Sequence, residues 1–352
     1  MADLRPHEMT DSPSPLRVGV LGLGRSGWAI HLRALSKQTR FVAVAAVDPL
    51  PERREEAAKE FGINCHATLA EMLANESLDI VVVASPSFCH CEDALAVLRA
   101  GCHCILEKPM APTLADAQML AAEAERSGCH LFVYHNHVFA PPFNHYREVI
   151  ASGILGPLFS IRTFMASYTR RWDWQVLKKN GGGYLRNYGS HALSIVLPLL
   201  DSPVTRVACN VQLIKDAGDT EDHVDLLLRT ESGRTANITV TTCAAIHGPL
   251  YTLFGKHGTL TSDGKTSRLR YFDGDALPLP AVIDAAAPGR KYQKEELPWT
   301  EETRDCKPSE KTIGFYENIA AVLRDGAAPV VTVASALDVL RVLEMAEADA
   351  RK

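Results

Sequence analysis

A short apolar run, Leu16-Arg17-Val18-Gly19-Val20-Leu21, leads into Gly22-Leu23-Gly24-Arg25-Ser26-Gly27 and then a helical stretch to about Ser36. Strand, Gly-x-Gly-x-x-Gly turn and helix, in that order, constrain the fold more than any other feature of the chain. The alternation continues. Phe41 to Val47, Asp79 to Ala84, His103 to Leu106 and His130 to Tyr134 read as buried strands. Glu52 to Phe61, His90 to Ala100 and a segment capped by Thr113 and ending at Ser127-Gly128 read as helices. Buried strands alternating with helices specify an α/β, doubly wound parallel sheet.

The second half has another rhythm. A helix is expected from about Phe143 to Ser152, then a long strand, Leu158 to Tyr168. Gly181-Gly182-Gly183 forms a turn into a helix near Asn187 to Leu197. Val204 to Leu213, Asp222 to Arg229, Thr235 to Thr242 and Leu250 to Phe254 read as strands with short turns, which favour antiparallel pairing. Asp273 to Pro308 reads as loop-rich, and helices over about Glu310 to Arg324 and Val333 to Asp349 close the chain. The expected organisation is a disordered tail over 1–14, a dinucleotide-binding domain over 15–138, and an α+β domain over 139–352 that binds substrate and oligomerises around a large, mostly antiparallel open sheet.

The totals exclude several classes. With 352 residues, 46% hydrophobic and 22% charged, the chain can bury two cores. Its net charge is -5 and it has no basic run, which argues against a nucleic-acid partner. No apolar run reaches membrane-spanning length. The opening MADLRPHEMTDSPSP lacks an apolar signal core, so a cytoplasmic location is expected. Nine cysteines suit reduced thiols better than a disulfide framework. Cys89-His90-Cys91 and Cys102-His103-Cys104 have one-residue gaps, unlike structural zinc spacing, so no metal is expected.

The glycines Gly22, Gly24 and Gly27, with Leu23, Arg25 and Ser26 between them, would let the backbone approach a pyrophosphate at the helix N-terminus. Asp48 ends the second strand about twenty residues later, where a carboxylate accepts hydrogen bonds from the adenosine ribose. A carboxylate there repels a 2′-phosphate, which favours NAD over NADP, although Arg53 and Arg54 lie nearby and pull the other way. Glu107-Lys108-Pro109 ends a later strand of the same sheet. Ligands of such sheets lie outside the carboxyl ends of the strands, so Lys108 is a candidate for the reacting centre. Oxidising a carbinol needs a hydride acceptor, a base for the hydroxyl proton and a cation for the developing alkoxide. Lys108 can supply the cation. Asn187, His191 and Ser194 have the spacing of one helical face, and His191 can supply the base.

These features resemble the Gfo/Idh/MocA family of dinucleotide-dependent oxidoreductases over nearly the whole chain after the tail. The resemblance rests on Gly22 to Gly27, Ser85-Pro86-Ser87 with His90, Glu107-Lys108-Pro109, and Gly181-Gly182-Gly183 followed by Asn187, Gly189 and His191. Asn187 and Ser194 stand where the family usually has aspartates. The resemblance implies a Rossmann domain, a Lys-Pro bond that is frequently cis, and a homodimer or homotetramer formed through the open sheet. It implies NAD(P)-linked oxidation of a sugar, cyclitol or related polyol, with Lys108 on the reacting hydroxyl and His191 as acid or base, and it extends the cofactor site to Arg53, Ser85, Pro86, His90, Glu107 and Lys108. Substrate contacts are expected from Lys108, Asn187 and His191, from Asn136 at the end of the last Rossmann strand, and from Tyr168, Arg170, Trp172 and Asp173 in an aromatic, charged loop. Two other readings stay open: an enzyme that retains NAD and uses transient oxidation, as in glycoside cleavage, and a sensor that binds dinucleotide without catalysis.

Overall fold

The computed structural model describes residues 14–352 except 216, 283–287, 291 and 307–309; the expected tail thus lies almost wholly outside the described residues. β1 (Leu16–Leu21) runs into the glycine turn and a π-helical segment, Ser26–Leu32, that continues as α1 (Arg33–Leu35). There follow β2 (Phe41–Val47), α2 (Pro51–Phe61), β3 (Asn64–His66), α3 (Leu69–Asn75), β4 (Ile80–Val83), α4 (His90–Arg99), β5 (His103–Leu106), α5 (Leu114–Ser127) and β6 (Leu131–Val133). The six strands order as β3-β2-β1-β4-β5-β6. The order reverses between β1 and β4, which makes the sheet doubly wound. β4, Ile-Val-Val-Val, is fully buried, as a parallel strand covered on both faces must be.

β3 and α3 were not apparent in the sequence pattern. β3 has only three residues and is partly polar; α3 is set by a Thr68–Glu71 capping box, not by a long apolar stripe.

The remainder comprises a 3₁₀ turn at Asn136–Phe139, α6 (Pro141–Ser152), β7 (Leu158–Ala166), a π-helical turn Leu185–Gly189, α7 (Ser190–Val196), β8 (Val204–Gln212), β9 (His223–Thr230), β10 (Thr235–Thr241), β11 (Tyr251–Gly255), β12 (Gly258–Ser262), β13 (Thr266–Tyr271), β14 (Thr300–Asp305), α8 (Lys311–Asp325) and α9 (Val333–Ala350). Its eight-stranded sheet has the order β14-β13-β12-β11-β7-β10-β9-β8. Pairing is antiparallel except between β7 and β10. Alternation buries one face: Val224, Leu226 and Leu228 of β9 point inward while Leu227 is exposed. α9, capped by Thr332, packs its Val339, Leu343 and Ala346 stripe inward.

β14 falls inside the stretch expected to be loop. Its Thr-Glu-Glu-Thr-Arg-Asp is a polar edge strand, whose pairing with β13 supplies an order that its composition does not announce.

By contacts, the chain forms two compact units. Among the described residues, one comprises those of 14–85, 92–105 and 123–130, the other those of 86–91, 106–122 and 131–352.

Within the first unit the glycine turn is sterically determined. A Cβ on Gly27 would lie 1.8 Å from the Gly22 carbonyl oxygen, and one on Gly22, whose φ is +92°, would lie 2.7 Å from the Ala84 oxygen. A Cβ on Gly24 would meet nothing within 4 Å. Gly27→Ala is therefore expected to lose about 1–3 kcal/mol in urea unfolding, from backbone displacement, whereas Gly24→Ala should fall within about 1 kcal/mol of wild type. Equal losses in the two variants would show that the turn is not held by this contact.

Candidate active site

Asp48 follows β2 and is 2% exposed. Its Oδ2 accepts from the Leu23 N–H at 2.9 Å and from Arg53 at 3.3 Å, and its Oδ1 accepts from the Leu50 N–H at 3.0 Å. Arg54 instead donates to the backbone oxygens of Asp48 and Pro49 at 2.8 and 3.0 Å. The carboxylate thus fixes the turn through Leu23, and Oδ1, which accepts a single hydrogen bond, retains acceptor capacity for a ligand hydroxyl. Ser85, after β4, donates to Asp93 at 2.5 Å, and Pro86 beside it is exposed. Arg25 is exposed at the start of the helix that follows the turn. A turn that excludes side chains at Gly22 and Gly27, opens at Gly24, and is backed by a buried carboxylate fits a dinucleotide.

In the second unit, Glu107-Lys108-Pro109 leaves the sheet through a cis Lys108-Pro109 peptide. His90 holds that loop: its Nδ1 lies 2.8 Å from the Pro109 carbonyl oxygen, which can only accept, so the ring nitrogen carries the proton. Glu107 is buried and accepts from the Lys108 N–H at 3.1 Å. Lys108 Nζ donates to Asn187 Oδ1 at 2.5 Å and to the Asn187 carbonyl oxygen at 3.2 Å.

The glycine turn at 181–183 explains how Asn187 arrives there. A Cβ on Gly182 would lie 2.1 Å from the Gln175 carbonyl oxygen; one on Gly183, with φ +115°, would lie 2.4 Å from a Glu221 carboxylate oxygen. Only glycine lets the chain pass so close to Gln175. Gln175 Oε1 then accepts from Asn187 Nδ2 at 3.2 Å and from Arg171 at 2.6 Å. Next to Asn187, Arg186 donates to Glu347 at 2.5 and 2.9 Å and to the Pro112 carbonyl at 2.7 Å, tying the π-helical turn to α9 and to the loop after Lys108.

His191, one turn further on, has different partners from Asn187. Its ring stacks on His137 with centroids 4.2 Å apart and 30° between planes. Its Nδ1 is buried without a hydrogen-bond partner among the described residues. Burial, then the positive charge of Lys108, holds the His191 pKa well below the ordinary histidine value, so its neutral form dominates at pH 7. His137 Nε2 lies 2.8 Å from Lys311 Nζ, and burial followed by Lys311 pushes its pKa down to about 3. His135 is pushed down to about 4 by burial, then Lys108. Ser194 donates to the His191 carbonyl oxygen at 2.8 Å.

Asn136, 6% exposed, donates to the Tyr134 hydroxyl at 3.1 Å, and its buried Oδ1 has no hydrogen-bond partner among the described residues. Tyr168 and Trp172 are 61% and 81% exposed, and Arg170 is exposed too. Asp173 pairs with Arg171 and caps Gln175 through its backbone N–H at 3.0 Å. The described contacts therefore bring Lys108, Asn187 and, through Gln175 and Arg171, Asp173 into one network; Tyr168, Arg170 and Trp172 stay outside it. Lys311 and Gln175 were missed as site members; His137 and Arg171 lay in the segments that supplied Asn136 and Asp173 but were not singled out. His137 stood beside Asn136 in a His-Asn-His run, but no local pattern marks Lys311 or Gln175.

Residues 16–135 match the oxidoreductase-family NAD-binding Rossmann fold of Gfo/Idh/MocA proteins, and 143–261 match the Gfo/Idh/MocA C-terminal domain. The chain belongs to the Gfo/Idh/MocA family. As a Gfo/Idh/MocA protein it is an oxidoreductase with an NAD-binding Rossmann domain. It is 27% identical over 343 residues to the scyllo-inositol 2-dehydrogenase (NADP(+)) IolW of Bacillus subtilis, covering 94% of this chain and 92% of that relative. It is 29% identical over 200 residues to the D-glucoside 3-dehydrogenase of Escherichia coli, covering 55% of this chain and 56% of that one. Its fold matches the crystal structure of GenD2 from gentamicin A biosynthesis in complex with NAD, with a TM-score of 0.79, 25% identity, and 99% and 98% of the two chains covered. Among the described residues no helix is long and apolar enough to cross a membrane, and no cluster of three or more His, Cys, Asp or Glu could hold a metal ion.

The neutral histidines make stability depend on pH. His135 and His137 have folded pKa values of about 4 and about 3, below the ordinary 6.5, so the unfolded chain binds protons first as pH falls. The stability they contribute is complete above about pH 6.5 and lost as pH drops through about 4 to 3. His137→Gln is expected to shallow the pH dependence of urea-unfolding free energy between about pH 6 and 4, by at most one proton, about 1.4 kcal/mol per pH unit. Parallel profiles for variant and wild type would mean that His137 titrates normally in the fold.

Proposed function

We propose that this protein is an NAD-dependent dehydrogenase acting on a carbinol carbon of a sugar, cyclitol or related polyol, with Lys108 and His191 as its catalytic residues. The observation that carries the reading is the pairing of a lysine held by Asn187 with a neutral, unpaired histidine on the next helical turn. A bound nicotinamide supplies the hydride acceptor. Lys108 brings its ammonium to the reacting oxygen and stabilises the negative charge that develops there. His191, already deprotonated at pH 7, takes the hydroxyl proton. Asn187 orients Lys108 and adds no charge of its own. Asn136, with an unused acceptor, suits a substrate hydroxyl. The named activities of the inositol and glucoside relatives support the substrate class.

The Asp48 carboxylate supports NAD, because the one arginine reaching it, Arg53, is already paired with it. Exposed Phe159 and Leu227 on the strands of the open sheet support assembly as a homodimer or homotetramer. We place the protein in the cytoplasm. The sensor reading is weaker, since Lys108 and His191 keep a base and a cation together; the NAD-retaining reading uses the same pair, and stoichiometric NADH release separates it from a dehydrogenase.

NADH is expected to bind at least about tenfold more tightly than NADPH in fluorescence titration, the size of one charge repulsion near a surface. Equal or tighter NADPH binding would mean that Arg53 turns from Asp48 to the phosphate.

Lys108→Met is expected to lower kcat roughly a hundredfold or more with NADH affinity nearly unchanged. Asn187→Asp should move the acidic limb of the oxidative kcat/KM profile to higher pH. A carboxylate beside Lys108 offsets the positive charge that depresses His191, so the base holds its proton to higher pH. A superimposable Asn187→Asp profile would remove His191 from the role of base.

A further inference from the structure

Lys311 opens α8 and is half-buried. An ammonium has three donors. Among the described residues, Lys311 gives one to His137 Nε2 at 2.8 Å and pairs with no carboxylate. Its neighbour Glu310 is exposed, and α8 has no side-chain cap, so the helix dipole adds positive potential at the same place. Burial lowers the Lys311 pKa, as expected for a cation withdrawn from water without a counter-ion.

Its surroundings belong to the catalytic centre proposed above. His137 bridges Lys311 to His191 by a hydrogen bond on one side and a ring stack on the other. Next along α8, Thr312 meets the Tyr134 hydroxyl at 2.6 Å, and the same hydroxyl accepts from Asn136, whose Oδ1 is buried and unpartnered. The groups that weigh on His191 are all basic: Lys108, His137, His135 and Lys311. The nearest acid to register, Glu107, acts on His135 and Tyr134 instead. His135 and His137 are neutral at pH 7, so the cation without a counter-ion among the described residues is Lys311. A neutral polyol would leave it so, whereas a carboxylate would supply the missing counter-ion and form charge-assisted hydrogen bonds.

We propose that Lys311, oriented by His137, forms an anion subsite beside His191, and that the substrate carries a carboxylate as well as the reacting carbinol, placing it in the sugar-acid or polyhydroxy-acid class. This rests on the dehydrogenase reading for its placement at a reacting centre.

The experiment is calorimetric titration of the NADH-bound protein with D-glucuronate, D-galacturonate and D-gluconate against D-glucose, D-galactose and myo-inositol, with NADH formation from NAD measured on the same compounds. At least one acid should bind about tenfold or more tightly than its neutral counterpart, on the scale of one partly buried charge pair. Lys311→Met should erase that preference and Lys311→Arg should keep most of it. If no acid binds more tightly than its neutral counterpart in wild type, the subsite is overturned, whether or not the variants fold. A preference that persists in Lys311→Met overturns it too. Acid binding that depends on Lys311 without NADH formation would support the subsite and sink the dehydrogenase reading. Turnover of neutral polyols with no preference for acids would do the reverse.

Discussion

The contact between Lys108 Nζ and Asn187 Oδ1, 2.5 Å long, is the one on which the chemistry of this site depends. A lysine on a loop has many rotamers, and holding it in one costs entropy. Two oxygens of Asn187 hold it here, while His90 fixes the loop on which it sits through the Pro109 carbonyl. The acceptor is an amide and not a carboxylate. An amide cancels none of the ammonium's charge, and that charge is the first electrostatic influence on His191 after burial.

The rest of the centre answers to that charge. His135, His137 and His191 all lie where burial and nearby lysines disfavour a second cation, so all three are neutral at pH 7. Neutral rings can stack closely, as His137 and His191 do, and a neutral ring nitrogen can accept from Lys311. The arrangement keeps His191 unprotonated by burying it beside positive potential. An aspartate at 187 would weaken the same field.

Both glycine turns work by excluding side chains, and for different ends. At Gly22 and Gly27 the backbone must pass within contact of itself, which shapes a loop that Asp48 then ties down through Leu23. At Gly182 and Gly183 the chain presses on Gln175 and Glu221, which delivers Gln175 to Asn187 and joins Arg171 and Asp173 to the lysine. The first turn is a ligand cradle. The second is a positioning device.

The residues themselves determined the fold class. Alternating buried strands and helices, a glycine turn after the first strand and an acid after the second leave little but a doubly wound sheet, because the side-chain period and the need to bury both strand faces admit no other layering. They also determined which cation and which imidazole to examine, since Lys108 and His191 sit at motif positions readable along the chain. Elements with weak local signals were out of reach: three-residue β3, capped α3 and polar edge strand β14 owe their order to neighbours. The partners of the site were equally invisible. Lys311 is 174 residues from His137, and Lys108 is 79 from Asn187, so no local pattern records either contact. Only tertiary structure turned Asn187 to Lys108 and His191 to His137, and made the histidines neutral, because pKa values answer to burial and to the charges that folding brings close, neither of which is written in sequence order.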